Sequence, residues 1–156
     1  MAEPPATTPP LAFRLRDARC FPHPAENIEF VETHISWVVL AGDFAYKIKK
    51  PVDLGFLDFT TLAQRKLYCE QELRLNRRLA PAIYLEVVAI TGSVDRPVIG
   101  GDGPVVEYAV KMRRFPQEAL LDRVAKAGRL DAGVVEAFAR SVAAFHANIA
   151  RAGGDG

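Results

Sequence analysis

The sequence is poor in cysteine and has no long apolar run. Cys20 and Cys69 are the only cysteines among 156 residues, too few and too far apart for a disulfide framework or a metal site. No apolar run reaches the roughly 20 residues that span a bilayer. Residues 1–10 contain four prolines and no basic residue, unlike a signal peptide. These absences predict no membrane partner, no metal site and a soluble, cytoplasmic protein.

An excess of charge of one sign is also absent. The 20 basic and 19 acidic residues give a net charge of +1, so no nucleic-acid partner is expected. An apolar share of 49% and a charged share of 25% are typical of a soluble globular protein. The length suits one domain with a real hydrophobic core.

The first half of the chain predicts an extension followed by three strands. Residues 1–27 read as a partly disordered N-terminal extension, since residues 1–10 are rich in Ala, Pro and Thr and Pro22-His23-Pro24 breaks any short element. Ordered structure is predicted from Ile28, with strands at 28–31, 37–40 and 44–48 forming an antiparallel meander. Gly42-Asp43 is a turn signal between the second and third strands.

The remaining pattern predicts an α+β fold. Thr61 and Gln64 have the spacing of a capping box, which predicts a helix from there to Leu79. The apolar loop before it, residues 54–59, is expected to pack down. Two more strands are predicted at 84–91 and 104–112, giving a five-stranded antiparallel sheet with one packed helix. C-terminal helices follow at 118–127, capped by Gly128, and at 131–150, with the apolar stripe Val134, Val135, Phe138, Val142, Phe145 and Ile149.

The third strand carries the residues that point to chemistry. Because a strand alternates faces, Lys47 and Lys49 share one face and Lys50 takes the other. Ala45 shares the Lys47 face, where a small side chain leaves room for a flat ring. The alternative is that these lysines only make an exposed strand edge soluble, which suits Lys49 and Lys50 well.

A carboxylate on the following helix favours a role for Lys47. Glu70 has charged helical neighbours, whereas Glu72 lies on the face that carries Tyr68, Leu75 and Leu79. If that face packs on the sheet, the carboxylate needs a cationic partner, because an unpaired buried charge is costly. The pattern predicts a Lys47–Glu72 ion pair. The alternative is a partly exposed glutamate at the edge of the stripe.

These motifs resemble a known family. Phe44-Ala45-Tyr46-Lys47 matches, class by class, the Val-Ala-Ile-Lys strand of the protein-kinase fold. More specifically, residues 33–52, 72–81 and 107–116 resemble bacterial aminoglycoside-phosphotransferase-like proteins, which are sometimes fused to a P-loop kinase domain. The resemblance covers roughly Ile28 to Ala150. It implies a protein-kinase-like N-lobe at residues 28–116 and the start of a helical C-lobe at 117–156.

The same resemblance implies ATP as the ligand. Lys47 would hold the phosphates, Glu72 would orient Lys47, and Ala45 would lie beside the adenine. A hinge at residues 112–115 would bind the adenine edge. Core packing remains an alternative for Met112 and Phe115, and solvent exposure is the expectation for Arg113.

Two parts of the family pattern are missing. The connection Thr33-His34-Ile35-Ser36 has no glycine with which to cradle phosphate. The hydroxyl and N–H groups of Thr33 and Ser36 could contact phosphate instead, or the segment could be a simple hairpin.

The catalytic loop is the second missing part. None of the three histidines is followed two residues later by aspartate, and His146 is expected to be a packed histidine. No catalytic or metal-binding residue is therefore assigned, and Mg²⁺ is expected only with the missing C-lobe.

The predicted function is the N-terminal, nucleotide-binding part of an ATP-dependent small-molecule phosphotransferase, not catalytic alone. A fragment of a longer kinase is the favoured explanation of the missing loop, with a small hydroxylated substrate in the full-length protein. The alternative is a degenerate lobe that serves as an interaction module and self-associates through the apolar surface where a C-lobe would pack.

Overall fold

The structure is a computed structural model that describes residues 11–150. The described part of the chain divides into two compact units, residues 11–114 and residues 115–150. The lead-in expected at residues 1–10 lies outside the described residues. No helix in the described part is long and apolar enough to cross a membrane.

The first unit is built on a six-stranded antiparallel sheet. Its strands are β1 (Glu29–Glu32), β2 (Ser36–Ala41), β3 (Phe44–Lys49), β4 (Tyr84–Gly92), β5 (Pro97–Ile99) and β6 (Val105–Arg113). They lie in the order β1-β2-β3-β6-β4-β5. The predicted α+β class and antiparallel sheet are confirmed. The predicted number of five strands was wrong, because the prediction missed β5. That strand is only three residues long and pairs with the end of β4 through Ile90 and Ile99, a pattern too short to detect in sequence.

Strands β2 and β3 form the predicted hairpin. Their register pairs Val38 with Lys47 and Leu40 with Ala45. Gly42 in the turn has φ +56°, a conformation that glycine adopts without steric cost, and an added Cβ there would lie 2.4 Å from the Pro24 carbonyl oxygen.

A single long helix, α1 (Leu62–Asn76), connects β3 to β4 and packs on β6 and β4. The capping box is confirmed: the Thr61 side chain accepts from the Gln64 N–H, and the Gln64 side chain accepts from the Thr61 N–H. The helix ends three residues before the predicted Leu79. The N–H groups of Leu79 and Ala80 both donate to the Asn76 carbonyl, which closes the last turn.

Residues 11–27 are ordered and contribute four buried side chains to the core, contrary to the prediction that order begins at Ile28. Two short 3₁₀ helices, Leu11–Arg14 and Ala18–Cys20, precede β1. Ala12, Leu15 and Phe21 are buried in one cluster with Val39, Tyr46, Ile48, Ile90 and Ala109 of the sheet. His23 hydrogen-bonds through Nε2 to the Tyr46 hydroxyl at 2.7 Å. The prolines around His23 therefore shape an ordered segment that covers one face of the sheet.

The loop before α1 packs down only at its end. Phe59 is buried, as predicted, but Leu54 is exposed and Phe56 is 86% exposed. The backbones of Asp53 and Asp58 form an isolated antiparallel β-bridge across the loop, and Gly55 at the tip of the loop has φ +79°. The bridge closes a small hairpin whose apolar tip points to solvent.

The second unit contains α2 (Leu121–Lys126) and α3 (Ala132–Asn148), preceded by a 3₁₀ turn at Gln117–Ala119. Asp131 caps α3 by accepting from the Val134 N–H at 2.9 Å, and Gly128 ends the preceding turn with φ +66°. None of residues 115–150 is buried. His146 is exposed, so the prediction of a packed histidine was wrong.

Candidate functional site

The predicted Lys47–Glu72 ion pair is present. The Lys47 ammonium donates to Glu72 Oε1 at 2.8 Å, from the middle of β3 to the middle of α1. The Lys47 side chain is 27% exposed and the Glu72 side chain 12% exposed. The Glu72 side chain is therefore mostly buried, while about a quarter of the Lys47 side chain remains accessible to solvent.

Lys49 shares the same carboxylate, which the sequence interpretation did not anticipate. Its ammonium donates to Glu72 Oε2 at 2.8 Å, and its side chain is only 5% exposed. The Lys49 ammonium also lies 4.9 Å from the centroid of the Phe59 ring, within the range of a cation–π contact. The interpretation of Lys49 as a solubilising edge lysine was wrong.

Lys50 lies on the opposite face, as the strand alternation predicts. It contacts Glu32 of β1 and lies over the Trp37 ring. Glu70 is exposed and pairs loosely with Lys66 at 3.8 Å, the solvated setting predicted for it. Glu72 is therefore mostly buried and Glu70 exposed, as the sequence predicts.

The inward face of α1 is polar, which corrects the predicted apolar stripe. Leu75 and Leu79 are exposed, and the one fully buried residue of α1 is Cys69. Ion pairs connect α1 to the sheet: Glu72 pairs with the lysines of β3, and the Arg65 guanidinium pairs with the buried Glu107 of β6 at 2.8 Å. Charged side chains therefore occupy part of the helix face that packs on the sheet, beside the buried Cys69.

The cluster sets the protonation of Glu72. Burial alone would raise the pKa of this carboxyl, but the hydrogen bonds and positive charges of Lys47 and Lys49 lower its pKa below the ordinary 4.5. Glu72 is therefore ionised at neutral pH. Burial raises the pKa of the neighbouring Cys69 thiol to about 12, so Cys69 is an inert packing residue and not a nucleophile.

Ala45 and Met112 lie beside Lys47. Ala45 is buried two residues before Lys47 on the same face of β3, and β6 places Met112 directly opposite it. Tyr84 of β4 pairs with Met112 on the other side. The predicted set of Lys47, Glu72, Ala45 and Met112 is thus brought together on one face of the sheet.

The β1–β2 connection has the geometry of a closed hairpin. The Thr33 N–H and hydroxyl both donate to the Ser36 carbonyl, and the Thr33 hydroxyl also accepts from the Ser36 N–H. Ser36 lies opposite Lys49, and its hydroxyl is buried without a hydrogen-bond partner within residues 11–150. The geometry favours the simple-hairpin alternative over phosphate contact by these two residues.

The end of β6 is tied to the sheet. The Arg113 N–H donates to the Ile83 carbonyl and the Arg114 N–H to the Asp43 carbonyl, both at 2.8 Å. Arg113 is exposed, as expected, and Phe115, which is also exposed, begins the second unit. In the segment predicted to be an adenine-binding hinge, two backbone N–H groups are therefore already hydrogen-bonded within the protein.

Two cavities in the first unit are lined by residues other than Lys47, Glu72, Ala45 and Met112. One of about 710 Å³ is lined by ten residues of the N-terminal segment and the β4–β5 hairpin, including Arg14, Arg16, Arg19 and Arg96. Another of about 530 Å³ is lined by Glu32, Thr33, His34 and Lys50. Thr33 is the one predicted site residue that either cavity contacts. Among the described residues, no group of three potential ligands is placed to hold a metal ion.

The sequence held a signal for both missed partners. Lys49 follows Lys47 by two residues, so the alternation that placed Lys47 toward α1 also placed Lys49 there. Arg65 precedes Glu72 by seven residues, which is two helical turns and the same helix face. A search for charges spaced along one helix face would have found the second ion pair.

Comparison with known proteins finds mycobacterial relatives of undescribed function. The chain is 38% identical over 133 residues to a protein of Mycobacterium tuberculosis described as "Uncharacterized protein Rv2004c". It is equally similar to "Uncharacterized protein Mb2027c" of Mycobacterium bovis. The alignment covers 83% of this chain and 25% of each relative, so the chain spans about a quarter of the length of the curated relatives it matches. No family model matches the chain, and no solved structure matches it.

Proposed function

We propose that this chain is the nucleotide-holding part of an ATP-dependent phosphotransferase that acts on a small hydroxylated molecule. Its first unit would be a protein-kinase-like N-lobe, of the aminoglycoside-phosphotransferase-like kind that the sequence resembles. Lys47 would bind the phosphates of ATP, and Glu72 would orient the Lys47 ammonium before the phosphates bind.

One observation carries the proposal: a partly exposed lysine side chain is ion-paired with a mostly buried carboxylate. The Lys47–Glu72 contact of 2.8 Å joins a lysine of the third strand to a glutamate of the helix that follows it. Kinases use a lysine and a glutamate in these positions to hold nucleotide phosphates. A lysine serving only solubility would not need a partner whose side chain is 12% exposed.

The surroundings of Lys47 support a nucleotide over a free anion. Ala45 and Met112 lie side by side next to it, so a small and a flexible apolar side chain adjoin the charged group. A nucleotide needs such a pairing of an apolar surface for the base with a cation for the phosphates. Phosphoryl transfer itself is assigned to residues outside this chain, because no His-x-Asp sequence occurs in it.

We expect the change Lys47→Ala to weaken ATP binding by about tenfold or more, because a charge-assisted hydrogen bond to phosphate is lost. Calorimetric titration of ATP into both proteins measures the effect. Adenosine should bind the two equally, since Lys47 acts on the phosphates.

Lys50→Ala is the matched control for that titration. Lys50 lies on the opposite face of β3 and pairs with Glu32, so its removal should leave ATP affinity unchanged. Equal ATP affinity of the unaltered protein and the Lys47→Ala variant would remove the assigned role of Lys47.

A second candidate function, a non-catalytic interaction module, draws on the exposed apolar side chains. Phe56 and Leu54 are exposed at the tip of the loop before α1, and Val135 and Phe138 are exposed on α3. Exposed apolar surface is a feature of many protein interaction sites. If this function applies, sedimentation should show self-association that increases with concentration, whereas a monomer at every concentration argues against it.

A further inference from the structure

Two lysines of β3 share the Glu72 carboxylate where α1 contacts the sheet. Glu72 accepts from Lys47 through Oε1 and from Lys49 through Oε2, both at 2.8 Å. Three charged groups therefore share a small volume, with a net charge of +1. A plain structural ion pair would need only one of the two lysines.

The two lysines differ in access. The Lys49 side chain is 5% exposed, with its ammonium near the Phe59 ring and its Cα opposite Ser36 of β2. The Lys47 side chain is 27% exposed. The Lys47 side chain is therefore far more accessible to a ligand from solvent than the Lys49 side chain.

The second lysine keeps Glu72 paired when Lys47 turns toward a ligand. If Lys47 were the only partner of Glu72, its departure would leave a buried carboxylate without a cation, which is strongly unfavourable. With Lys49 in place, Glu72 keeps a hydrogen-bonded cation. The excess positive charge of the cluster then lies on the accessible lysine, where it attracts an anion.

We propose that Lys49 is a positioning residue that keeps Glu72 compensated, so that Lys47 can exchange the carboxylate for a phosphate of the nucleotide. This inference rests on the proposed function, because it takes Lys47 as the phosphate-binding group. Lys49 acts through Glu72 and does not contact the ligand.

The test uses Lys49→Met, which retains length and removes charge, together with Glu72→Gln and the double variant. With Lys49 gone, Glu72 holds Lys47 alone, and ATP affinity should fall by about tenfold while adenosine affinity is unchanged. In the Glu72→Gln background, Lys49→Met should have no further effect, because its influence passes through the carboxylate. Lys49→Arg keeps the charge and should preserve most of the ATP affinity.

The acylation rate of Lys47 provides a readout that needs no nucleotide. A water-soluble N-hydroxysuccinimide ester followed by peptide mass mapping reports how firmly Lys47 is held. Lys47 should react more slowly in Lys49→Met than in the unaltered protein, while Lys50, which pairs with Glu32, should react at the same rate in both.

Any of three results overturns the inference about Lys49. The first is an ATP affinity that Lys49→Met leaves unchanged, and the second is a Lys47 acylation rate that it leaves unchanged. The third is that Lys49→Met weakens ATP binding by the same factor whether residue 72 is Glu or Gln. Failure of the unaltered protein to bind ATP overturns the proposed function instead. In that case the acylation rates still show whether Lys49 affects how firmly Glu72 holds Lys47.

Discussion

Replacing Glu72 with alanine is expected to lower the free energy of unfolding by about 3–5 kcal/mol. The change removes the carboxylate that both Lys47 and Lys49 contact, and it leaves two ammonium groups close together with no anion between them. Lys49 is nearly inaccessible to water, so solvent cannot replace the lost partner. Urea unfolding of the two proteins measures the difference.

Glu70→Ala is the matched control on the same helix. Glu70 is exposed and its contact with Lys66 is long, so its removal should change the free energy of unfolding by less than about 0.5 kcal/mol. Similar losses from the two substitutions would mean that the Glu72 cluster does not stabilise the fold.

The Glu72 contribution should also depend on pH. The folded pKa of Glu72 is lower than its ordinary 4.5, so the unfolded state binds the proton more readily. The stabilisation is therefore complete above about pH 4.5 and is lost as the pH falls through the lower, folded pKa. The stability difference between the unaltered protein and Glu72→Gln should shrink over that acid range.

Replacing Leu15 with alanine should cost about 2–5 kcal/mol of unfolding free energy, although Leu15 lies ahead of every strand. Its side chain is fully buried, in the cluster that includes Tyr46 and Ile90 of the sheet. Removing the methine and the two methyl carbons of Leu15 from that cluster leaves a cavity that neighbouring side chains fill only in part. Chemical denaturation followed by the fluorescence of Trp37 reports the loss.

Leu67→Ala on α1 controls for the general effect of shortening a leucine. Leu67 is 50% exposed, so this substitution should cost less than about 1 kcal/mol. If Leu15→Ala cost no more than Leu67→Ala, the N-terminal segment would not be part of the folded core.

Local patterns in the sequence predicted the elements of the first unit well. The Gly42-Asp43 turn, the Thr61–Gln64 capping box and the alternation of β3 are each set by residues close together in the chain. The Lys47–Glu72 contact could be predicted because a buried carboxylate needs a cation, which links the strand to the helix by charge.

The remaining errors come from packing between distant segments. Leu75 and Leu79 were placed toward the sheet because hydrophobic periodicity assumes that a helix buries its apolar face. The inward face of α1 instead carries Arg65 and Glu72, whose partners on β6 and β3 are distant in the sequence. Periodicity has no means of finding a buried face that is charged.

The N-terminal segment shows the same limit. Pro22 and Pro24 correctly rule out a long regular element there, but they do not prevent an irregular chain from packing. Phe21 is buried against the sheet and lies 5.4 Å from the Tyr46 ring, a contact between residues 25 positions apart. Burial of such a segment depends on a surface that exists only after the sheet forms.

Binding of ATP at Lys47 is tested most directly by the amide chemical shifts of the ¹⁵N-labelled protein during an ATP titration. We expect saturable shifts centred on Ala45, Lys47 and Met112, and their loss in the Lys47→Ala variant. Shifts centred instead on the arginine-lined cavity of Arg14, Arg16, Arg19 and Arg96, or an unchanged spectrum, would show that ATP does not bind at Lys47.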